Sequence, residues 1–182
     1  MHLVKAIKYL LDNDLYSEPF RVVICGKGEE APRLKAYIEQ HDLQDIIVMT
    51  GFVSEEDKPR YLATSDIAVY PSTGGESFGI VLLEGMASSR GVVLAGNNPG
   101  YASVMAPKPE QLFDPKDTEA FAHLLAKFLR NPEARAAAAE WQKNYVKRFD
   151  INVVGKELVK TYRECIAERQ VHSKTKRKYD TI

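Results

Sequence analysis

The residues of this chain best suited to chemistry are two carboxylates and the glycines around them. In the stretch Pro71 to Ser88, PSTGGESFGIVLLEGMAS, Glu76 follows two glycines and Glu84 comes eight residues later. That spacing is about two helical turns, and Glu84 stands in an otherwise apolar helical pattern of Ile80, Val81, Leu82, Leu83 and Met86. A carboxylate there must be solvated, paired or engaged with a ligand, because burying it alone is costly. Paired carboxylates accept hydrogen bonds from vicinal hydroxyls, which sugars and ribose supply. The amides of Phe78, Gly79 and Ile80 open the same helix, and a helix N-terminus attracts an anion. A sugar on one side, a phosphate at these amides and a ribose on the other trace the outline of a nucleotide-sugar.

Two further loops carry candidate residues. Gly26-Lys27-Gly28 joins a strand to a helix. Its glycines either shape a tight turn or let the backbone approach a phosphate, with Lys27 in reach of the charge. Thr50-Gly51-Phe52-Val53-Ser54 precedes Glu55, Glu56, Asp57 and Lys58. It reads either as a helix start capped by Ser54, with acids favouring the dipole, or as a nucleobase slot with Val53 against the ring and a carboxylate accepting its N–H groups.

The elements that position these loops alternate. Strands are expected at Phe20 to Cys25, Asp45 to Met49, Ile67 to Tyr70 and Gly91 to Ala95, with a short fifth at Gln111 to Phe113. Helical spacing is expected at Ala31 to His41, Glu55 to Thr64 and Ile80 to Ser88. It returns at Asp117 to Arg130, Pro132 to Phe149 and Asn152 to Gln170, with Asp117 and Asn152 as N-caps. Strands alternating with helices imply right-handed βαβ units, and continuous apolar strands imply a parallel sheet covered on both faces. Ligands in such folds bind at the carboxyl ends of the strands, where all three loops lie. The expected fold is therefore a single Rossmann-like, doubly wound α/β sheet. Leu3, Ala6, Ile7, Leu10 and Leu11 form a helical stripe at the very start, so the sheet is expected to lack its first strand and to offer an exposed edge for self-association or another chain. The expected division is a ligand-binding domain over residues 1–150, a helix over 151–170 and a basic, fraying tail over 171–182.

Composition narrows the classes. With 182 residues there is room for one domain and a real core. Lys plus Arg and Asp plus Glu are 25 each, a zero formal charge that argues against nucleic-acid binding by the whole domain. No apolar run reaches the length of a membrane span, and the N-terminus lacks a secretory signal pattern. Cys25 and Cys165 have no metal spacing. A cytoplasmic setting is expected, and the Lys174 to Lys178 cluster reads as a solvated tail or as a contact with an anionic inner membrane face. A dehydrogenase is disfavoured: the position after Gly26-x-Gly28-x-x is Ala31, and no acid ends the next strand. Trp141, Tyr145 and Phe149 read as core or interdomain residues.

The E-x7-E pattern of Glu76 and Glu84 within GGESFGIVLLE makes Leu3 to Phe149 resemble the C-terminal, donor-binding domain of family 4 retaining glycosyltransferases of the GT-B fold, nearest to the phosphatidylinositol mannosyltransferases. The resemblance implies that Glu76 orients the donor sugar and Glu84 holds the ribose. Gly75, Ser77, Phe78, Gly79 and Ile80 would surround the sugar and diphosphate, with Gly26 and Lys27 nearby. Val53, Glu55 and Lys58 would line the base and ribose pocket, and Asn97 to Tyr101 would be a loop that shapes it. It implies a nucleotide-sugar ligand, GDP-mannose ahead of a UDP-sugar, and no metal or other cofactor. It also implies an N-terminal acceptor domain, and an Arg and a Lys ahead of the first helix, that these residues do not contain. The chain is accordingly expected to bind a donor without transferring it alone, or to be a non-catalytic module that completes a split enzyme. Ser88-Ser89-Arg90-Gly91 departs from the small-Gly-x-Pro turn of that family.

Overall fold

The structure, a computed structural model, describes residues 1–179, with side chains described to residue 169. It divides into a unit spanning Met1–Asn144 and a second that begins at Tyr145.

In the first unit, helix α1 (His2–Asp12) is followed by β1 (Val22–Cys25), α2 (Ala31–Gln40), β2 (Ile47–Gly51), α3 (Lys58–Thr64) and β3 (Ile67–Tyr70). Next come α4 (Ile80–Ser88), β4 (Val92–Gly96), α5 (Pro99–Met105), β5 (Leu112–Phe113) and α6 (Thr118–Arg130), and α7 (Pro132–Val146) runs across the boundary. The chain is thus the expected α/β alternation of parallel strands, but the single sheet is present as two. β1 pairs with β2, and separately the order β3-β4-β5 forms a second parallel sheet. The first element is a helix, as its stripe predicts, and no strand among the described residues pairs with both β1 and β3. The two sheets are held instead by one apolar cluster. Val4, Ile7 and Leu10 of α1 pack with Ile47, Val92, Leu94, Phe113 and Phe121, and Val22, Ile24, Ile67 and Val69 lie against it. Phe113 and Phe121 stack with ring centres 3.9 Å apart.

Burial on both faces holds for β4, every residue of which is buried. It fails for β1 and β2, whose Val23 and Val48 face outward. β5 is only two residues long, and its register with β4 begins at Ala95. Val93 therefore finds its partner in a side chain: its N–H donates to Gln142 Oε1 at 3.1 Å and its carbonyl accepts from Gln142 Nε2 at 3.2 Å. The same Nε2 donates to Gln111 Oε1 at 2.7 Å. Helix α7 thereby supplies a substitute strand edge in the buried core.

The caps match the sequence in one case and correct it in two. Asp117 accepts the Ala120 N–H at 2.9 Å as expected. Asn152 is not a cap; the preceding Asp150 carboxylate accepts the Asn152 N–H at 2.8 Å. Ser54 accepts from the Asp57 N–H at 3.1 Å, but this closes a turn ahead of α3, which starts only at Lys58 because Pro59 suits a first-turn position. The Ser88 to Gly91 turn is tied by Ser89 Oγ, which accepts the Gly91 N–H at 3.0 Å. A side chain at Gly91 would collide with the Asp66 carbonyl.

In the second unit, a short 3-10 turn (Lys147–Phe149) leads into α8 (Ile151–Tyr179). Ile151, Val153, Val154, Leu158, Val159, Tyr162 and Ile166 of α8 are exposed. The backbone of α8 passes the expected end at Gln170, and residues 180–182 of the expected tail lie outside the described residues. Among the described residues no helix is long and apolar enough to cross a membrane.

Candidate functional site

The loops at the carboxyl ends of β1 and β2 are joined through their glycines. Gly26 (φ +128°) donates its N–H to the carbonyl of Gly51 (φ +70°) at 2.7 Å. Both conformations lie where side chains are disfavoured, so glycine is required at each. Lys27 follows immediately and sets its ammonium 5.2 Å from the centre of the exposed Phe52 ring, a cation–π contact. Val53 is half-buried just beyond.

Three predicted residues meet in one charged cluster. Lys58 Nζ lies 3.2 Å from Glu84 Oε2 and 2.7 Å from Glu55 Oε2, bridging the start of α3 to the middle of α4. The hydrogen bonds to Glu55 and then Glu84 raise the Lys58 pKa above its ordinary value, so the ammonium persists across the neutral range. Glu84 keeps 38% of its side chain exposed, open to a ligand. Behind it stands Tyr70, the last residue of β3. A Cβ on Gly85 would come within 2.7 Å of the Tyr70 hydroxyl. Burial pushes that hydroxyl well above the usual tyrosine range, with further upward contributions from Glu84, Tyr101 and Cys25. The end of β3 thus packs closely against α4 at Gly85.

Glu76 lies in the loop between β3 and α4, half-buried between the exposed Gly75 and Ser77. Its Oε1 accepts the Tyr101 hydroxyl at 3.1 Å. Tyr101 is held in turn by Asn98, whose Oδ1 accepts the Tyr101 N–H at 3.0 Å and whose Nδ2 donates to the Ser72 carbonyl at 3.1 Å. Gly79 (φ +93°) is the cap of α4, and its carbonyl accepts the Leu82 N–H at 2.9 Å. The amide of Ile80 stands in the first turn of that helix, with Phe78 and Ile80 side chains exposed beside it.

The structure therefore brings Glu55, Lys58 and Glu84 into contact, and places Gly26 and Lys27 against Gly51 and Phe52. It sets Gly75, Glu76, Ser77, Phe78, Gly79 and Ile80 in one loop and helix start. Sequence reasoning missed three participants: Tyr70, Phe52 and the anchoring of Glu76 by Tyr101. It also read Asn97 to Tyr101 as loop, whereas Pro99 begins α5; Asn98 followed by Pro99, a cap residue ahead of a first-turn proline, was the signal for it. Lys8, on the first helix, is ion-paired with Asp12 at 2.7 Å. Among the described residues no three His, Cys, Asp or Glu side chains group as a metal site would require.

Residues 1–145 match the family described as glycosyl transferases group 1. A D-inositol 3-phosphate glycosyltransferase of Corynebacterium urealyticum is 30% identical over 150 residues, covering 80% of this chain and 35% of that relative. A phosphatidyl-myo-inositol mannosyltransferase of Mycobacterium leprae is 29% identical over 142 residues, covering 78% and 37%. The chain thus spans little more than a third of these curated relatives. Among solved structures, Anabaena HepE in complex with UDP superposes with a TM-score of 0.73 at 21% identity, over 85% of this chain and 44% of that one. The C-terminal domain of a glycosyl transferase group 1 family protein (LpcC) from Francisella tularensis gives 0.67 at 21% identity, over 80% and 76%. At such identities these two likenesses carry the fold.

Proposed function

The chain belongs to the family of group 1 glycosyl transferases, as a C-terminal domain of their GT-B fold, and from that premise we propose that it holds the nucleotide-sugar donor of a retaining glycosyltransferase. The observation that carries the reading is the pair of carboxylates, one in the loop before α4 and one in its middle, each already held by a partner: Glu76 by Tyr101 and Glu84 by Lys58. In this assignment Glu84 accepts the vicinal ribose hydroxyls. The amides of Gly79 and Ile80 face the diphosphate, with Lys27 adding charge. Glu76 accepts hydroxyls of the donor sugar, and the base lies against the Val53 and Glu55 segment. GDP-mannose is favoured over a UDP-sugar; the mannosyltransferase name of one relative supports the mannose and leaves the base to the titration.

Transfer would proceed on one face of the sugar. The acceptor oxygen bonds to the anomeric carbon as the bond to the diphosphate oxygen breaks, and the departing diphosphate takes the acceptor's proton. Glu76 then orients the sugar and transfers no proton, and the helix amides stabilise the charge that develops on the diphosphate. We assign acceptor binding, and hence completed transfer, to protein outside these residues; this chain alone binds the donor.

Lys58→Met tests the charged cluster. It should weaken nucleotide binding in calorimetric titration by about tenfold, as expected for loss of a charge-assisted contact that orients Glu84. Its salt dependence should also be shallower than the wild type's. An unchanged affinity and salt slope would remove Lys58 from the site.

A further inference from the structure

We propose that Tyr101 is a positioning residue for Glu76, and that its hydroxyl sets the preference of the site for a nucleotide-sugar over the bare nucleotide. The inference rests on the donor-binding reading above and concerns the sugar end of that site.

The geometry around Tyr101 is over-determined. The residue is 2% exposed, so the hydroxyl has little freedom to leave Glu76. A Cβ on Gly79 would come within 2.6 Å of that ring, so the cap of α4 and the ring are in mutual contact. A Cβ on Gly100 would collide with the Glu76 carbonyl oxygen, so the backbone of α5 also abuts the Glu76 loop. Asn98 ties the first turn of α5 to Ser72 at the start of that loop.

A flexible loop carboxylate preceded by two glycines would otherwise sample many orientations, and a hydrogen bond from a buried donor removes that freedom before the ligand arrives. Oε1 takes the phenol at 3.1 Å, leaving Oε2 and the second lone pair of Oε1 to meet sugar hydroxyls. Burial and the Glu76 charge push the Tyr101 hydroxyl up to about 12, so it remains a donor across the neutral range. The ribose and diphosphate, by contrast, are assigned to Glu84, Gly79 and Ile80, none of which Tyr101 holds by a hydrogen bond. Removing the hydroxyl should therefore be felt at the sugar and not at the nucleotide.

The test compares the whole chain with Tyr101→Phe in calorimetric titrations against GDP and GDP-mannose, and against UDP and UDP-glucose. The expected result is a five- to tenfold loss of affinity for the nucleotide-sugar, with the affinity for the matching nucleoside diphosphate unchanged. Equal losses for both ligands, or no loss for either, would overturn the proposal. The hydrogen bond is read independently of any ligand by tyrosine labelled with carbon-13 at Cζ. The Tyr101 resonance, assigned by its absence in Tyr101→Phe, should move when Glu76 becomes Gln. A resonance that does not move would refute the contact itself. Wild-type chain that binds none of the four ligands would refute the donor-binding reading, and the assigned role of Tyr101 with it, whatever the resonance shows.

Discussion

Glu84→Ala should lower the affinity for a nucleoside diphosphate about a hundredfold. A hydrogen bond to a charged group contributes about 1.5–3 kcal/mol, and the ribose presents two hydroxyls to one carboxylate. Loss of both removes at least about 3 kcal/mol, which is two orders of magnitude in Kd. The fold should not suffer, because the Glu84 side chain is 38% exposed and its ion pair with Lys58 bridges surface helices; such pairs contribute little to stability. Calorimetric titration gives the affinity and a thermal melt checks the fold. Glu84→Gln keeps the shape and one acceptor oxygen, so it should fall between the two. If Glu84→Ala binds as the wild type does, the ribose is held elsewhere and the assignment of the α4 carboxylate is wrong.

Gln142→Leu should be the most destabilising of the conservative core changes. Its volume suits the site, yet it strands the N–H and carbonyl of Val93 in the middle of a wholly buried strand, together with the Gln111 side chain. Each buried polar group left without a partner costs about 1–3 kcal/mol. A total loss of about 3–5 kcal/mol corresponds to a fall in Tm of about 6–20 °C for a domain of this size. Chemical denaturation with an unchanged m-value would confirm that stability, and not the extent of unfolding, had altered. A fall of less than about 2 °C would mean that the strand finds other partners and that Gln142 is not a substitute edge.

Much of the molecule was legible because its signals are local. The strand Ile67 to Tyr70 and the helix Ile80 to Ser88 fall where turn residues and apolar runs placed them. The stripe from Leu3 to Leu11 became α1, although Val4, which the stripe passed over, proved fully buried. The places of Glu76 in a loop and Glu84 on a helix were legible for the same reason: each sits at a definite point in a strand–loop–helix pattern. What could not be read depends on groups distant in the chain. Gln142 meets Val93 across 49 residues and Tyr101 meets Glu76 across 25; no period links such pairs. The split into two sheets was equally hidden, because apolar runs show that strands are buried but not which strand they pair with. Val23 and Val48 illustrate it, being outward-facing in strands whose composition promised burial on both sides.

Donor binding by this chain on its own is the proposal on which the assigned roles depend. The direct measurement is calorimetric titration of the purified chain with GDP, UDP, GDP-mannose and UDP-glucose, with Glu84→Ala in parallel. Saturable one-to-one binding with a clear preference for one base, guanine favoured, is expected, and it should be abolished or strongly weakened in the variant. A well-folded chain that takes up none of the four, or a variant that binds as tightly as the wild type, would contradict it.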